Sequence, residues 1–298
     1  MNNQLASLEK PVDQKAYIPS RAFEWVRILW NRKSARMGLL ICLLLLALAL
    51  GAEFLAPYDP IEQNLRNRLA APSRDFLLGT DEYGRDILSR IIWGSRISLG
   101  IGISSVTIAM LIGIPLGLLA GYFGKRIEAV IMRVTDMLMA FPLLLLSLAI
   151  IAFLGFSILN VIIAISIAII PGYIRIVRAS TLAIRQNDYI NAAIMIGGKH
   201  SWIIRKHILP NMIGPVIVLA SLDVATAILL EGALSFLGIG VPPPTPTWGV
   251  IIGEGRAFLR NAPWISTFAG IVISLAALGL NLLGDGLRDI LDPTTHWK

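Results

Sequence analysis

Six stretches of this chain are about twenty residues long or longer and almost free of charge, and they leave few folds open to it. They cover 37–56, 97–120, 129–154, 158–177, 212–230 and 265–283. A helix needs about 20 apolar residues to cross a hydrocarbon layer of about 30 Å, and no water is available there to pair with backbone groups. Hydrophobic residues make up 55% of the chain and charged ones 15%, with a mean hydropathy of +0.71. That excess would suit a large buried core or a lipid-facing surface. Its segregation into long blocks decides for lipid. The fold class is therefore an all-α integral membrane protein with six transmembrane helices. Pro142 and Pro171 fall inside two of these blocks and are expected to kink them.

The first block is expected to be an uncleaved helix and not a cleaved signal. Ala49-Leu50-Gly51-Ala52 offers small residues, but a polar leader of 36 residues precedes the block, far longer than a usual n-region. Orientation follows from Lys and Arg. With the N-terminus inside, segments 1–36, 121–133, 175–207 and 285–298 hold 18 of them, against 8 in 57–96, 155–157 and 231–264. Both termini are expected in the cytoplasm. The loop 57–96 holds six Arg but as many acidic residues, and long loops count for little in this rule. This distribution accounts for the net charge of +7, and no basic and aromatic interleaving suggests nucleic acid. Cys42 is the single cysteine, so the chain has no intrachain disulfide.

Within the spans, Gly113, Gly117 and Gly121 recur every four residues and share one face, suited to close approach of another helix in this chain or in a partner subunit. Asp223 stands near the centre of the fifth span. The ten Leu, Ile and Val residues of 212–230 contribute roughly −3 to −6 kcal/mol to insertion, and one central Asp costs about +2.5 to +3.5. Asp223 should therefore face protein or water, and with Glu231 it is a candidate for an interhelical contact or a pathway residue.

The longest loop on the inner side runs from Arg175 to about Asn211. Asp188-Tyr189-Ile190-Asn191-Ala192-Ala193-Ile194-Met195-Ile196 reads as a short helix stopped by Gly197-Gly198. Lys199-His200-Ser201-Trp202 opens a second short helix that is expected to end at His207-Ile208-Leu209-Pro210. Two short helices at an angle make a compact knob for another protein. This loop resembles the coupling signature of binding-protein-dependent ABC permeases, with Ala192, Ala193, Gly197, Leu209 and Pro210 at the family spacing. Asn191 stands where Glu is usual, and His207 where Ile or Val is common.

Other segments sharpen the resemblance. Leu78-Gly79-Thr80-Asp81-Glu82-Tyr83-Gly84-Arg85-Asp86, continuing through Arg90 to Ser98, is similar to the C-type permease subunit of the dipeptide, oligopeptide and nickel family. So are Leu234-Ser235-Phe236-Leu237-Gly238 with Pro242-Pro243-Pro244 and Thr247-Trp248-Gly249, and the terminal Gly284-Asp285-Gly286-Leu287-Arg288-Asp289. The resemblance implies a type I importer permease that acts with a sister permease, one or two cytoplasmic ATP-binding subunits and an extracytoplasmic solute-binding protein. Its organisation would be a cytoplasmic tail at 1–36, a first span, an outer loop at 57–96, a five-helix permease domain at 97–287 with its coupling loop at 178–211, and a tail at 288–298. The coupling contact would be made by Ala192–Gly197, with Tyr189 and Ile190 as apolar anchors and Leu209-Pro210 marking re-entry into the membrane. The outer motif, Gly79, Thr80, Asp81, Gly84, Arg85 and Asp86, would serve assembly. There, Thr80 and Asp81 read as caps of a helix lying along the membrane surface on Ile87, Leu88, Ile91 and Ile92, braced by Arg85, Asp86 and Arg90 against this chain, its sister subunit or the binding protein.

The chain is not expected to hydrolyse ATP itself. Its Gly-Lys pairs, Gly124-Lys125 and Gly198-Lys199, are followed by Arg126 and His200, and Leu119 and Ala193 occupy the upstream Gly positions of a Walker A loop. ATP and Mg would belong to the partners, with no cofactor or metal on this chain. No acid–base or metal constellation of an enzyme can be assembled around His200, His207, His296 and Cys42. An ion-coupled carrier is the rival reading, and the docking knob argues against it. Peptides, nickel and other small solutes all remain open as cargo.

Overall fold

The computed structural model describes residue 30 and residues 32–291. Most of the N-terminal tail expected at 1–36, together with His296 and the rest of 292–298, lies outside the described residues. The chain forms helices α1 (Lys33–Leu50), α2 (Ala52–Leu55), α3 (Ile87–Phe123), α4 (Lys125–Met139), α5 (Leu143–Leu154), α6 (Ile158–Arg185), α7 (Asp188–Met195), α8 (His200–Ile203), α9 (Leu209–Phe236), α10 (Trp248–Gly255) and α11 (Trp264–Leu291). A π-helical turn at Ile204–Ile208 joins α8 to α9, giving one continuous helical run His200–Phe236.

Five of these runs are long and apolar enough to cross a membrane, and α4 with α5 gives a sixth only if the two are counted together. The third apolar block is not one kinked helix. It breaks between α4 and α5 with a bend of 92°. Pro142 explains the break, since its ring restricts Phe141 and removes an amide donor. Pro171 has the milder effect, and α6 runs unbroken from Ile158 to Arg185 through it.

Start signals lie where side chains satisfy the first free amides. Asp86 caps α3 by accepting from Ser89 N at 2.8 Å, Ser157 caps α6 by accepting from Asn160 N at 3.1 Å, and Thr247 caps α10 by accepting from Val250 N at 3.1 Å. The outer helix expected along the membrane surface is instead the first turns of α3, so Asp86 is the cap and Thr80 and Asp81 lie before it. The 37 residues of α3 rise about 55 Å, well past the hydrocarbon thickness, so the helix projects beyond the bilayer. The terminal Gly284–Asp289 motif lies on α11, which continues to Leu291, past the boundary expected at 288.

The centre of the bundle is α3 against α6. A Cβ on Gly113 would stand 2.5 Å from Tyr173 Cβ, on Gly117 2.7 Å from Val177 Cβ, and on Gly121 2.7 Å from Thr181 Cβ. The glycine face therefore serves packing within the chain. Gly38 and Gly279 bring α1 against α11 in the same way, with a Gly38 Cβ 2.7 Å from Gly279 O. Burial ranks the helices: 61% of the apolar window of α6 is buried and only 22% of that of α1, so α6 is central and α1 peripheral.

Replacing Gly117 by Leu is expected to force α3 off α6. Overpacking of this kind costs about 1–3 kcal/mol, which thermal unfolding of the detergent-solubilised protein would register. Gly100→Ala, where an added Cβ meets nothing within 4 Å, should be neutral or slightly stabilising.

Candidate functional site

Two constellations stand at opposite ends of α3. At its C-terminal end is the knob. In α7, Ile190 and Ala193 turn inward and pack with Tyr122, Ile203 and Ile208. The helix closes with Gly197 at φ +81°, while Gly197 N donates to Ile194 O and Gly198 N to Ala193 O, both at 3.0 Å. This paired closure is a Schellman motif, and its positive φ suits glycine. His200 Nδ1 and the Tyr122 hydroxyl, 2.8 Å apart, tie α8 to α3. The His207 ring lies 4.8 Å from the Trp202 ring and 5.9 Å from that of Tyr189.

Ile190 is therefore an anchor to the chain's own body and not to a partner. The outward apolar surface is instead Met195 and Ile196, 86% and 83% exposed, with Tyr189 beside them. Asn191 and Ala192 are exposed as well. Nothing in the helical pattern marked Met195 and Ile196, because the Schellman turn rather than the 3.6-residue period decides which way they point. The second knob helix also does not end at Pro210. The π-helical turn gives the proline ring room, Asn211 Nδ2 donates to His207 O at 2.6 Å, and the helix continues into α9.

At the N-terminal end of α3 is a buried ion cluster. Arg85 Nε donates to Asp81 Oδ2 at 2.6 Å and Arg85 Nη2 to Glu254 Oε2 at 3.0 Å. Arg90 pairs with Asp81 through Nη1 and stands 2.8 Å from Glu254 Oε2 through Nη2. Asp81 Oδ1 also accepts from Tyr83 N and Arg85 N. Only Glu254 is reachable by solvent, at 15%. Two buried cations thus face two carboxylates, one local and one from α10. Thr80 Oγ1 accepts from Ala70 N at 2.8 Å, and Trp264 Nε1 donates to Thr80 O at 3.2 Å, which joins the loop to α11. Gly84 has φ +72°, and a Cβ there would meet Asn64 O at 1.8 Å. Gly79, at φ +78°, lies under Trp264. The bracing of Arg85 and Arg90 is thus within this chain, whereas Asp86 is spent on the cap. Glu254 escaped the sequence reading because it lies 169 residues from Arg85.

The intramembrane acids part company. Glu231 is fully buried, and its Oε1 accepts from Ser235 Oγ and Thr247 Oγ1 at 2.8 Å each. Trp248, next to Thr247, donates its indole N–H to Ile91 O at 3.0 Å and its backbone N–H to Ser98 Oγ at 3.2 Å. Glu231 thus fixes the start of α10 against α9 and α3. Asp223 is only partly buried and lies close to the Tyr173 hydroxyl of α6, outside strict hydrogen-bond geometry. A cavity of about 370 Å³ beside the ion cluster is lined by Phe156, Ser235, Phe236, Glu254 and Arg256.

Residues 113–297 match the family described as binding-protein-dependent transport system inner membrane component, and residues 22–72 match the N-terminal TM domain of oligopeptide transport permease C. The chain belongs to the binding-protein-dependent transport system inner membrane components. It is 44% identical over 263 residues to a dipeptide transport system permease protein of Alkalihalophilus pseudofirmus, covering 88% of this chain and 86% of that one. It is 42% identical over 290 residues to a glutathione transport system permease protein of Pectobacterium atrosepticum, covering 97% and 96%. A chain of the MetNI methionine ABC transporter in an inward-facing conformation shares the fold, with a TM-score of 0.56 at 16% identity over 69% of this chain and 98% of that one. The inner membrane component described here is thus a multi-pass ABC permease of type I fold.

Two outcomes are expected of its ion cluster. Glu254→Ala leaves two buried arginines facing one carboxylate and should cost about 3–5 kcal/mol, read as a lowered unfolding midpoint. Glu82, beside the cluster, has its carboxyl pushed above the ordinary range by burial and then by Glu254 and Asp81. A raised carboxyl is a penalty on the fold that is absent below the ordinary carboxylate range and grows as pH rises through the folded pKa. Glu82→Gln should therefore match the parent in acid and exceed it at neutral pH, in unfolding midpoints compared across pH.

Proposed function

We propose that this chain is one permease subunit of an ATP-driven importer of di- or oligopeptides. It pairs with a sister permease, receives its cargo from a solute-binding protein outside the cell, and is powered by one or two cytoplasmic ATP-binding subunits. The observation that carries this reading is the knob: a rigid, Schellman-closed helix fixed to α3 and α6 that holds Met195 and Ile196 almost fully exposed. Apolar side chains held out on a rigid frame mark a protein contact, and the ATPase subunit is the partner proposed for it. The peptide assignment rests on relatives that carry dipeptide and glutathione transport in their names. Both termini, with the knob, lie on the cytoplasmic side, as the Lys and Arg distribution favours.

In this reading the outer cluster of Asp81, Arg85, Arg90 and Glu254 is assembly architecture, setting the outer ends of α3, α10 and α11 as one unit. Glu231 is structural. Asp223, partly exposed and opposite Tyr173, is the intramembrane acid assigned to the pathway.

The test uses the purified complex with its ATPase subunits, reconstituted with binding protein. Met195→Asp places a charge on the outer surface of the knob without touching its core. Loss of a central apolar contact of this kind costs about 2 kcal/mol or more, so recovery of the ATPase subunit should fall by at least tenfold. Gly197→Trp, where an added Cβ has open space but the backbone is strained at φ +81°, should leave the protein in the membrane and abolish ATP-dependent peptide uptake. Normal uptake in both variants would remove the coupling assignment. Competition of labelled dipeptide by glutathione would separate the two peptide classes.

A further inference from the structure

Counted as half of a membrane span, α4 is an odd helix. It carries five charged residues in fifteen, Lys125, Arg126, Glu128, Arg133 and Asp136. The two acids are consumed by α6: Arg178 Nε donates to Glu128 Oε1 at 2.7 Å, and Arg175 Nη2 to Asp136 Oδ1 at 2.7 Å. What remains unspent on α4 is basic. On the side turned from the protein, Ile127, Val130, Val134 and Met137 recur every three or four residues and all are exposed. Arg126 and Arg133, seven residues apart and also exposed, run along one edge of that stripe.

Two independent geometric facts set the direction of α4. It is bent by 92° from α5, which is apolar throughout. Its ion pairs also advance unequally on the two helices. Glu128 to Asp136 is about 12 Å of rise along α4, whereas Arg178 to Arg175 is about 4.5 Å along α6. This unequal advance fits a helix inclined to α6. α4 lies at the end of the bundle where α3 terminates and the knob begins, since Gly124 links α3 to α4 and Tyr122 touches the knob.

We infer that α4 lies in the plane of the membrane surface and binds anionic phospholipid, with its apolar stripe in the acyl layer and Arg126 and Arg133 on lipid phosphates. Apolar residues on one face with cations along the border are what an interfacial helix requires, because the long arginine stems lie on the apolar layer while their heads stay at the phosphates. The salt bridges to Arg175 and Arg178 hold α4 down against the bundle and remove the acids that would repel such lipids. The chain then crosses on α5 and residues 155–157. α5 supplies about 18 Å of rise, so the bilayer beside it is thin or replaced by protein. A sister permease seated on the stripe is the competing occupant. It would leave Arg126 and Arg133 at a protein edge with no acid to meet them among the described residues.

The assembled importer, in a Cys42→Ser background, would carry a single fluorescent cysteine at Ile127, Val134 or Met137. Vesicles of phosphatidylcholine and phosphatidylglycerol would contain lipids brominated at shallow or deep acyl positions. The expected result is quenching of all three labels chiefly by shallow bromines, at equal depth. Depth that increases from 127 to 137 would mean that α4 spans the bilayer, and absence of quenching would mean that protein covers the stripe. Either overturns the inference. In a second arm, bromine is placed on phosphatidylglycerol alone or on phosphatidylcholine alone, and the ratio of quenching at 134 reports local enrichment. Arg126→Gln and Arg133→Gln should each lower that ratio, by about fivefold at low ionic strength. A ratio unchanged in the double variant would also overturn it, and the labels themselves report whether that variant has kept its place in the membrane.

Discussion

Everything else in this molecule is arranged around the contact between α3 and α6. In lipid, two helices gain little from hiding apolar surface from each other, so their association depends on how closely their backbones approach. Three glycines on successive turns of α3 remove the side chains that would keep α6 away, and Tyr173, Val177 and Thr181 occupy the vacated space. The consequence reaches both ends of α3. At one end the joined helices present the platform on which Ile190, Ala193, Ile203 and Ile208 gather around Tyr122. Toward the other, Gly102 lies under Val224 and Ile228 of α9, with an added Cβ only 3.1 Å from Ile228. A helix too long for the bilayer thus becomes a strut shared by both constellations.

The ion cluster at the N-terminal foot of that strut is costly to build. Burying charges carries a penalty of several kcal/mol per ion, and good geometry at best offsets it. Its value is therefore directional. Arg85 and Arg90 cannot leave water unless Asp81 and Glu254 meet them, so α10 has one seat and the loop before α3 has one conformation. The buried Glu231 works alike, binding Thr247 and Ser235 so that the segment between α9 and α10 is fixed where it reaches Trp248. Both acids are therefore better understood as fixing register than as adding stability.

How legible this was in the sequence depended on the range of the interaction. The helical class, the apolar runs and the glycine face follow from local composition and period, and so they were readable; only the partner of the glycine face needed coordinates. The Gly197-Gly198 stop was readable too, since a positive φ after a helix is a local demand. What failed was long-range or competitive. Thr80 and Asp81 have good capping chemistry, yet Asp81 is claimed by two arginines and Asp86 takes the cap. Pro142 and Pro171 look alike in sequence, but one follows Phe141 at a break between helices and the other is carried inside a buried one. Ile190 reads as a surface anchor and Met195 does not, yet the fold turns Ile190 inward and Met195 out.

The knob has two mechanically different attachments, and that difference bears on how motion passes through the chain. Its link to α3 is a packed one, with Ile190 and Ala193 buried against Tyr122 and His200 bonded to the Tyr122 hydroxyl. Its link to α9 is the π-helical turn Ile204–Ile208, where the backbone ladder is already irregular before Pro210. Interiors packed at crystal density transmit displacement, whereas an irregular turn absorbs it as a change of dihedral angles. Met195 and Ile196 thus stand on the part of the knob packed against α3 and α6, and the turn into α9 is anchored to the same cluster through Ile208. The partly exposed Asp223 and the buried Glu231 sit on the same helix at different distances from that turn. Glu231 is clamped through Thr247 to α10, so α9 is held at that end as well as at the turn where it begins.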